Sequence, residues 1–216
     1  MITPTALALI MQCPAPRAQL WTPHLNATME RFDITTPARV AAFLAQVGHE
    51  SGRLQYVREI WNPKQVPQQA HYSQRAGLGN TKPEAIAIAK KHGSNTGEFW
   101  RGRGLMQITG YNNYLFCGKA LGLDLLNNPE LLEMPEHAAA CAGWFWVEGA
   151  GLNLSLRALD ILKKYHLGAG VNLNTLADLA DFEAITYCIN GGTNGWVDRL
   201  ALFERAKTVL NEEQPA

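Results

Sequence analysis

The chain has 216 residues, and a hydrophobic fraction of 47% supplies enough apolar material for the core of one domain. Charged residues make up only 18%, and lysine plus arginine equal aspartate plus glutamate at 19 each, so the formal net charge is zero. This composition excludes a disordered chain, and it argues against a nucleic-acid binder, which usually carries a basic patch or stripe.

The first predicted element is a short helix that begins near Pro4. Thr3 or Thr5 can cap it, and proline suits the first turn of a helix. The apolar run from Ala6 to Met11 has no basic segment before it, and it is far shorter than a membrane span of about 20 residues. We therefore expect no signal peptide and no stable membrane insertion, with synthesis in the cytosol.

Apolar residues spaced by three and four predict further helices. The clearest lies at 37–47, where Thr36 is a suitable N-cap and Pro37 takes the first helical position. The segment 135–147 is apolar nearly all round, which is typical of a buried central helix. The other predicted helices cover 14–31, 84–91, 112–121, 182–189 and 197–210.

Prolines and glycines interrupt regular structure between 51 and 110. Within this region, 53–60 and 105–109 have weak strand character and predict a small β-hairpin or sheet. Loops on a rigid helical scaffold often carry binding sites, so we expect a groove here. No linker divides the chain, which predicts a single domain over 1–216 with a frayed tail at 211–216. We expect this domain to be a monomer.

The cysteines and histidines are not spaced as metal ligands. His49-Glu50 begins like a zinc-protease motif, but that motif needs a second histidine where this chain has Arg53. The four cysteines form no C-x-x-C pair, and buried free thiols are the expected state. We expect no metal and no other cofactor. The cysteines are Cys13, Cys117, Cys141 and Cys188.

Two glutamates are candidates for acid–base chemistry. Glu50 closes the apolar helix where it gives way to Ser51-Gly52, a place that can hold a half-desolvated general acid, although helix-end glutamates are also common on surfaces. Glu59 follows after a turn, so the chain can bring the two carboxylates to face each other, as glycoside hydrolysis requires. Taken alone, Glu59 can equally be a solvated charge beside Arg58.

Amides, hydroxyls and aromatic rings follow in two later segments. Gln107 and Thr109 alternate with apolar residues, so an extended strand would present both on one face. Asn190-Gly191-Gly192 ends a predicted helix and can be either a sugar-binding amide or a simple C-cap. Arg199, inside the next helix, can neutralise a carboxylate.

Three motifs together resemble glycoside hydrolase family 19, the chitinase group that also includes phage endolysins. They stand in the family's order and frame about 150 of the 216 residues. The motifs are Gly48-His49-Glu50-Ser51-Gly52, then Gly102-Arg103-Gly104-Leu105-Met106-Gln107-Ile108-Thr109 with Tyr111 to Tyr114, and Ile189-Asn190-Gly191-Gly192 with Asp198-Arg199.

The resemblance implies a mainly α, lysozyme-like α+β fold with a small β-hairpin or sheet lobe beside the groove. It implies an inverting mechanism in which Glu50 is the general acid, Glu59 is the general base and Thr109 helps to hold the attacking water. Arg199 matches an arginine of the charge network around these carboxylates. Residues implied to line the sugar groove are Gln107, Tyr111, Asn113, Ile189 and Asn190.

One position departs from the plant chitinases of this family, which carry an acidic residue where this chain has Asn194. Their export signals and disulfides also have no counterpart here, which favours the endolysin branch. That branch implies peptidoglycan glycan strands as the substrate, and release from the host cytoplasm to the cell wall through a holin-type pore. A chitinase acting on chitin oligomers is the alternative.

Overall fold

A computed structural model describes residues 1–152 and 154–212, and these residues are mostly helical. The described part also contains four short 3-10 helices at Pro67–Gln74, Ala76–Leu78, Pro129–Glu133 and Gly149–Leu152. In chain order the α-helices are α1 (Pro4–Met11), α2 (Ala15–Arg31), α3 (Pro37–Glu50), α4 (Pro83–Lys91), α5 (Thr96–Phe99), α6 (Tyr111–Leu121), α7 (Pro135–Val147), α8 (Leu156–Lys163), α9 (Leu173–Asp178), α10 (Phe182–Asn190) and α11 (Trp196–Glu212).

The helices α3 and α7 occupy the centre of the molecule. Nine consecutive residues of α3, from Val40 to Gly48, are buried, and α11 and α9 pack against this helix. α7 is buried along most of its length against α2 and α6, as its apolar sequence predicts. The α3 helix begins as expected, with the Thr36 side chain accepting a hydrogen bond from Arg39 N.

The predicted helices are confirmed, with boundaries within a few residues. Three short helices, α5, α8 and α9, were not predicted, because runs of four to eight residues give too few turns for an apolar period to show. The predicted frayed tail is wrong at its start, since 211 and 212 belong to α11. The rest of that tail, 213–216, lies outside the described residues.

The predicted β-hairpin or sheet is wrong. Among the described residues only two isolated bridges occur, which join Arg103 to Arg58 and to Ile108. Extended strands are prevented by left-handed backbone at Leu54 and Gln107, whose φ angles are 63° and 50°. Three crossing segments therefore replace a sheet, and they bring 57–59, 102–104 and 107–109 side by side.

A tight turn ends α3 and sends the chain back across its own C-terminus. Ser51 Oγ donates to Val47 O at 2.6 Å and accepts from Leu54 N at 2.8 Å, so the hydroxyl closes the helix. Helix α2 holds the turn from outside, because Trp21 Nε1 donates to Leu54 O at 3.1 Å. The position of Glu50 is thereby fixed by buried contacts on both sides.

The close approach of α2 and α7 depends on Gly143. A β-carbon added there would lie 2.2 Å from Phe32 Cδ2 and 2.6 Å from Thr28 Cγ2. We expect Gly143→Ala to lower the free energy of unfolding by about 1–3 kcal/mol, as overpacking does in tight cores. Urea denaturation measures this change.

Gly168→Ala is the matched control, since a β-carbon at Gly168 would meet no atom within 4 Å. Its unfolding midpoint should stay close to that of the unaltered protein. Equal midpoints for the two variants would contradict the tight packing of α2 on α7.

Candidate active site

A cleft of about 670 Å³ opens beside the C-terminal end of α3. Its lining is largely polar, and six of the predicted site residues contribute to it: Glu50, Gln107, Thr109, Asn113, Ile189 and Asn190. Lining residues that were not predicted include Tyr72, Arg75, Phe145, Cys188 and Asn194. The fold therefore gathers residues from α3, α6, α10 and the loop region into one surface, which we call the cleft.

Glu50, the last residue of α3, pairs with Arg199 of α11. Arg199 Nη2 donates to Glu50 Oε1, and the side chains are 1% and 21% exposed respectively. Glu50 Oε2 makes no hydrogen bond within the described part of the chain. Arg199 itself is absent from the cleft lining, so it acts on the cleft through Glu50 rather than by contact with a ligand.

Two neutral groups complete the surroundings of the Arg199 guanidinium. Nη1 donates to Gln46 Oε1, and Nε donates to Asn194 O at 3.1 Å. The Gln46 amide is oriented by Thr186, whose Oγ1 accepts from Gln46 Nε2 at 2.9 Å. Asn194 thus contributes a backbone carbonyl. Among the described residues, Glu50 is the one carboxylate that contacts Arg199.

A second ionic group lies beside the first and joins the same two helices. Asp198 Oδ2 contacts His49 Nδ1 at 2.7 Å, and Asp198 Oδ1 accepts from Arg53 Nη2. The hydrogen bond from Arg53, followed by that from His49, lowers the pKa of Asp198 from 3.8 to about 2. Gly195 lets the chain pass over the His49 ring, since a β-carbon there would lie 2.2 Å from Cε1.

Glu59 is held by three hydrogen-bond donors. Its Oε1 accepts from Gln69 Nε2 at 2.9 Å and from the Tyr72 hydroxyl at 3.2 Å, and its Oε2 accepts from Gly102 N at 3.1 Å. Burial and the negative charge of Glu59 raise the pKa of Tyr72, so the phenol keeps the proton that it donates. Glu59 is not itself part of the cleft lining, but Tyr72 is, so the carboxylate lies directly behind the cleft wall.

Thr109 and Gln107 lie next to the segment that holds Glu59. A β-carbon on Gly102 would lie 2.7 Å from Gln107 Oε1 and 3.3 Å from Thr109 Oγ1. Thr109 Oγ1 donates to Gln107 O at 2.9 Å, and Asn113 Nδ2 donates to Thr109 O at 2.9 Å. The predicted strand is absent, yet a compact turn brings the same polar groups to the cleft.

Tyr111 was expected to line the sugar groove, but it is not among the residues that line the cleft. It is 8% exposed, and its ring packs edge-on against Trp100 with centroids 5.5 Å apart. Its backbone N donates to Asn80 Oδ1 at 3.0 Å. The ring therefore supports the floor of the loop region rather than a sugar.

The position of Asn190 agrees with both interpretations of its sequence, an amide available to a sugar and part of a helix C-cap. It lines the cleft, and its Oδ1 accepts from Asn194 Nδ2 at 3.2 Å. Gly191 caps α10 in the left-handed conformation, with a φ of 76°, and its N donates to Tyr187 O at 2.8 Å. The C-cap thus places the last residue of the helix at the cleft.

Several residues of the site were missed from the sequence, among them Gln46, Gln69, Tyr72 and Arg75. Gln46 had a detectable signal, because it is the one amide in the apolar run of α3, and a buried amide needs partners. Gln69, Tyr72 and Arg75 had none, since they lie in a segment of 3-10 helix and turn without a periodic pattern. Their contacts with Glu59 and the cleft depend on the tertiary fold.

The described part of the chain offers no cluster of metal-ligating side chains at the cleft. No group of three or more His, Cys, Asp and Glu side chains within 1–152 and 154–212 is placed to hold a metal ion. All four cysteines are free, as predicted, and Cys117 Sγ lies 3.1 Å from Cys141 Sγ. Burial raises the pKa of Cys188, which lines the cleft, to about 12. No described helix is both long and apolar enough to cross a membrane.

Comparison with known proteins assigns the fold and the family. The sequence model of the class I chitinases, glycoside hydrolase family 19, matches residues 25–211. The chain belongs to this family. The match extends over all the residues that surround the cleft.

Relatives within family 19 come from plants and bacteria. A Haemophilus influenzae protein described as containing a family 19 domain is 30% identical over 203 residues, which cover 87% of this chain and 88% of that protein. Endochitinase 2 of Gossypium hirsutum is 35% identical over 189 residues, or 82% of this chain. The match spans only 58% of the length of that endochitinase, and 54% of Endochitinase 1 of Theobroma cacao.

Solved chitinase structures share the fold. Chitinase C from Streptomyces griseus superposes with a TM-score of 0.68, covering 97% of this chain and 92% of that one at 22% identity. A second bacterial family 19 chitinase gives a TM-score of 0.67 at 23% identity. The mainly helical, lysozyme-like architecture expected from the sequence is thus confirmed.

The lowered pKa of Asp198 makes stability depend on pH. Because the folded-state pKa of about 2 lies below the ordinary 3.8, ionised Asp198 stabilises the fold above pH 4, and this stabilisation is lost as the pH falls from 4 to 2. We expect Asp198→Asn to lower the melting temperature at pH 7, with the gap to the unaltered protein closing between pH 4 and 2. Thermal unfolding across this range measures it.

Asp160→Asn is the control, because it breaks an exposed pair with Lys163, and such pairs stabilise little. Parallel melting curves for Asp198→Asn and the unaltered protein from pH 7 to pH 2 would contradict the role of this carboxylate.

Proposed function

We propose that the chain hydrolyses β-1,4 glycosidic bonds in an N-acetylated glycan, with Glu50 as the general acid. This proposal rests on the different surroundings of the two oxygen atoms of the Glu50 carboxyl group. Arg199 holds Oε1, while Oε2 has no partner among the described residues and belongs to a cleft-lining side chain. Oε2 is thus the atom that holds and delivers the proton. Arg199 then stabilises the carboxylate left behind.

Glu59 acts as the general base, and Thr109 holds the attacking water. The one proton of the Thr109 hydroxyl is committed to Gln107 O at 2.9 Å, so the oxygen can only accept a hydrogen bond from water. A water that donates one proton to Thr109 and the other to Glu59 aims its lone pair at the sugar. The three donors on Glu59 fix the direction in which its carboxylate receives the proton.

We propose that the reaction inverts the anomeric carbon, as the resemblance to family 19 implies. Inverting glycosidases keep their two carboxyl groups about 6.5–9.5 Å apart, which leaves room for a water between base and sugar. Glu50 lines the cleft, and Glu59 lines a neighbouring depression and contacts the cleft wall through Tyr72. No covalent sugar intermediate is needed, and no metal takes part in the steps assigned to these residues.

Peptidoglycan is the substrate that we propose, in an enzyme of the phage or prophage endolysin type. Amides of Gln107, Asn113 and Asn190 suit the acetamido groups that peptidoglycan and chitin share. Arg75, an exposed guanidinium in the cleft, favours the glycan that also carries carboxylates. The monomeric state and release through a holin-type pore remain predictions of the sequence.

Chitin is the second candidate, because the plant relatives and the bacterial structural neighbours are chitinases by name. Both glycans present the same β-1,4 bond and the same acetamido groups. The catalytic residues proposed above would serve either substrate, so the products of digestion must distinguish them.

Glu50→Gln should lower the rate of glycan hydrolysis by about 10²–10⁴-fold, because the amide keeps its place beside Arg199 but has no acidic proton to give. Release of reducing ends and lysis of outer-membrane-permeabilised Gram-negative cells measure this loss. Glu59→Gln should retain a trace of activity, since Thr109 still holds water.

Glu204→Gln is the matched control, as this glutamate pairs with Lys207 on an exposed face of α11. It should hydrolyse glycan at the rate of the unaltered protein, and the melting temperatures of all three variants should show that the fold survives. Normal lysis by Glu50→Gln would exclude the assignment of the acid.

Mass spectrometry of digested peptidoglycan tests the substrate. We expect new reducing sugar ends with an added water and no anhydro product, and proton NMR of early products should show the inverted anomer. Cleavage of chitin oligosaccharides with none of peptidoglycan would favour the second candidate. Retention of configuration would contradict the proposed use of Glu59 as a base.

A further inference from the structure

A second depression, of about 360 Å³, borders Glu59. It is joined to the cleft through that glutamate, because Tyr72, a cleft-lining residue, donates its hydroxyl to Glu59 Oε1 at 3.2 Å. Tyr56, Arg58, Trp61, Arg101 and Glu133 are among the other residues that line this depression. A glycan strand that passes the proposed catalytic water therefore continues towards them. We call this second site the arginine depression.

Arg101 is the unusual residue of the arginine depression. Its Nε is buried and has no hydrogen-bond partner, and its side chain forms no ion pair with any described residue. Buried donors are almost always satisfied in native proteins, and an unsatisfied one in a charged group is particularly costly. Burial, together with the nearby positive charges of Arg103 and Arg58, lowers the pKa of Arg101. An anionic ligand in the depression would compensate the positive charge that Arg101, Arg103 and Arg58 bring together there.

The two carboxylates that line the arginine depression beside Arg101 are already engaged. Glu133 pairs with two arginines: its Oε1 lies 2.9 Å from Arg103 Nε, and its Oε2 lies 3.3 Å from Arg58 Nη1. Glu59 accepts its hydrogen bonds from a glutamine, a tyrosine and a backbone N–H. Glu98, whose negative charge also acts on Arg101, forms no ion pair with it. Arg101 therefore keeps the hydrogen-bonding capacity of its guanidinium for a ligand.

We propose that Arg101 binds a carboxylate carried by the glycan strand, so that the arginine depression selects an anionic N-acetylated glycan over a neutral one. This inference rests on the proposed glycosidase function and narrows its substrate to peptidoglycan, since chitin has no carboxylate. The planar guanidinium fork matches a carboxylate in geometry. Trp61 and the half-exposed Tyr56 provide aromatic surface for the group that carries it.

Two carriers of the carboxylate share this chemistry. One is the lactyl group on the muramic acid ring, which is free once the stem peptide has been removed. The other is the stem peptide itself, which has its own acidic groups. Kinetics on peptide-bearing strands, on strands stripped by an amidase and on chitin oligosaccharides of similar length separate the two carriers from a neutral glycan.

We expect Arg101→Gln to lower kcat/KM on carboxylate-bearing strands about tenfold relative to chitin oligosaccharides, because hydrogen bonds between charged groups are the stronger ones. A loss on peptide-bearing strands alone assigns the peptide carboxylate, and a loss on stripped strands assigns the lactyl group. Arg101→Lys should restore part of the preference, since it keeps the charge without the fork. Arg31→Gln is the matched control, removing an exposed charge that lines neither site.

Binding provides a readout that does not depend on turnover. In a Glu50→Gln background, titration calorimetry with carboxylate-bearing glycan fragments should give a Kd about tenfold weaker when Arg101→Gln is added. An unchanged preference and an unchanged Kd would overturn the proposal, as would an equal loss on chitin. Hydrolysis of chitin with no hydrolysis of peptidoglycan would overturn it while leaving the glycosidase assignment standing. Hydrolysis of neither glycan would instead refute the proposed function.

Discussion

The buried ion pair between Arg199 and Glu50 is the interaction on which the rest of the site depends. Taking a guanidinium out of water costs several kcal/mol, and the cost is offset only if its donors find partners. Here each of the three guanidinium nitrogens has one, in Glu50, Gln46 and Asn194 O. Helix α3 must therefore end where its last carboxylate meets α11. The Ser51 turn and the packing of α11 on α3 hold the two partners at that point.

The neutral partners of Arg199 give this site its particular electrostatics. With Gln46 and a backbone carbonyl in place of a second carboxylate, the full positive charge of the arginine is directed at Glu50. Asp198 does not compete, because Arg53 and His49 engage it on the neighbouring turn. In the proposed role, the positive charge of Arg199 stabilises the carboxylate that remains once Glu50 has given up its proton.

Much of this arrangement could be predicted from the sequence, because local patterns encode it. The apolar period and the Thr36 cap specify α3, and thereby the place where Glu50 stands. The prediction of strands was wrong because the left-handed backbone conformation of residues such as Gln107 cannot be recognised from the residue type. Tyr111 was misplaced for a different reason. An aromatic residue after a polar turn can face a ligand or the core, and only the position of Trp100 decides between them.

The contacts made by long-range packing could not be foreseen. Gln69 and Tyr72 come to Glu59 through a segment with no apolar period, and the free guanidinium of Arg101 is recognisable only once the partners of its neighbours are known. Motifs thus identified the groups proposed to carry out the chemistry. The groups proposed to choose the substrate lie between the motifs, in backbone whose course is set by tertiary contacts.

Gly102 has a consequence for how such an enzyme can diversify. Its N–H donates to Glu59, and the absence of a β-carbon lets Gln107 and Thr109 approach, so one small residue holds together the two halves of the proposed water site. A β-carbon there would displace the Gln107 amide, 2.7 Å away, and crowd Thr109 Oγ1 at 3.3 Å. Substitution is therefore easier at the neighbours of Gly102 than at Gly102 itself, so residues proposed to select the substrate can vary while the proposed water site is kept.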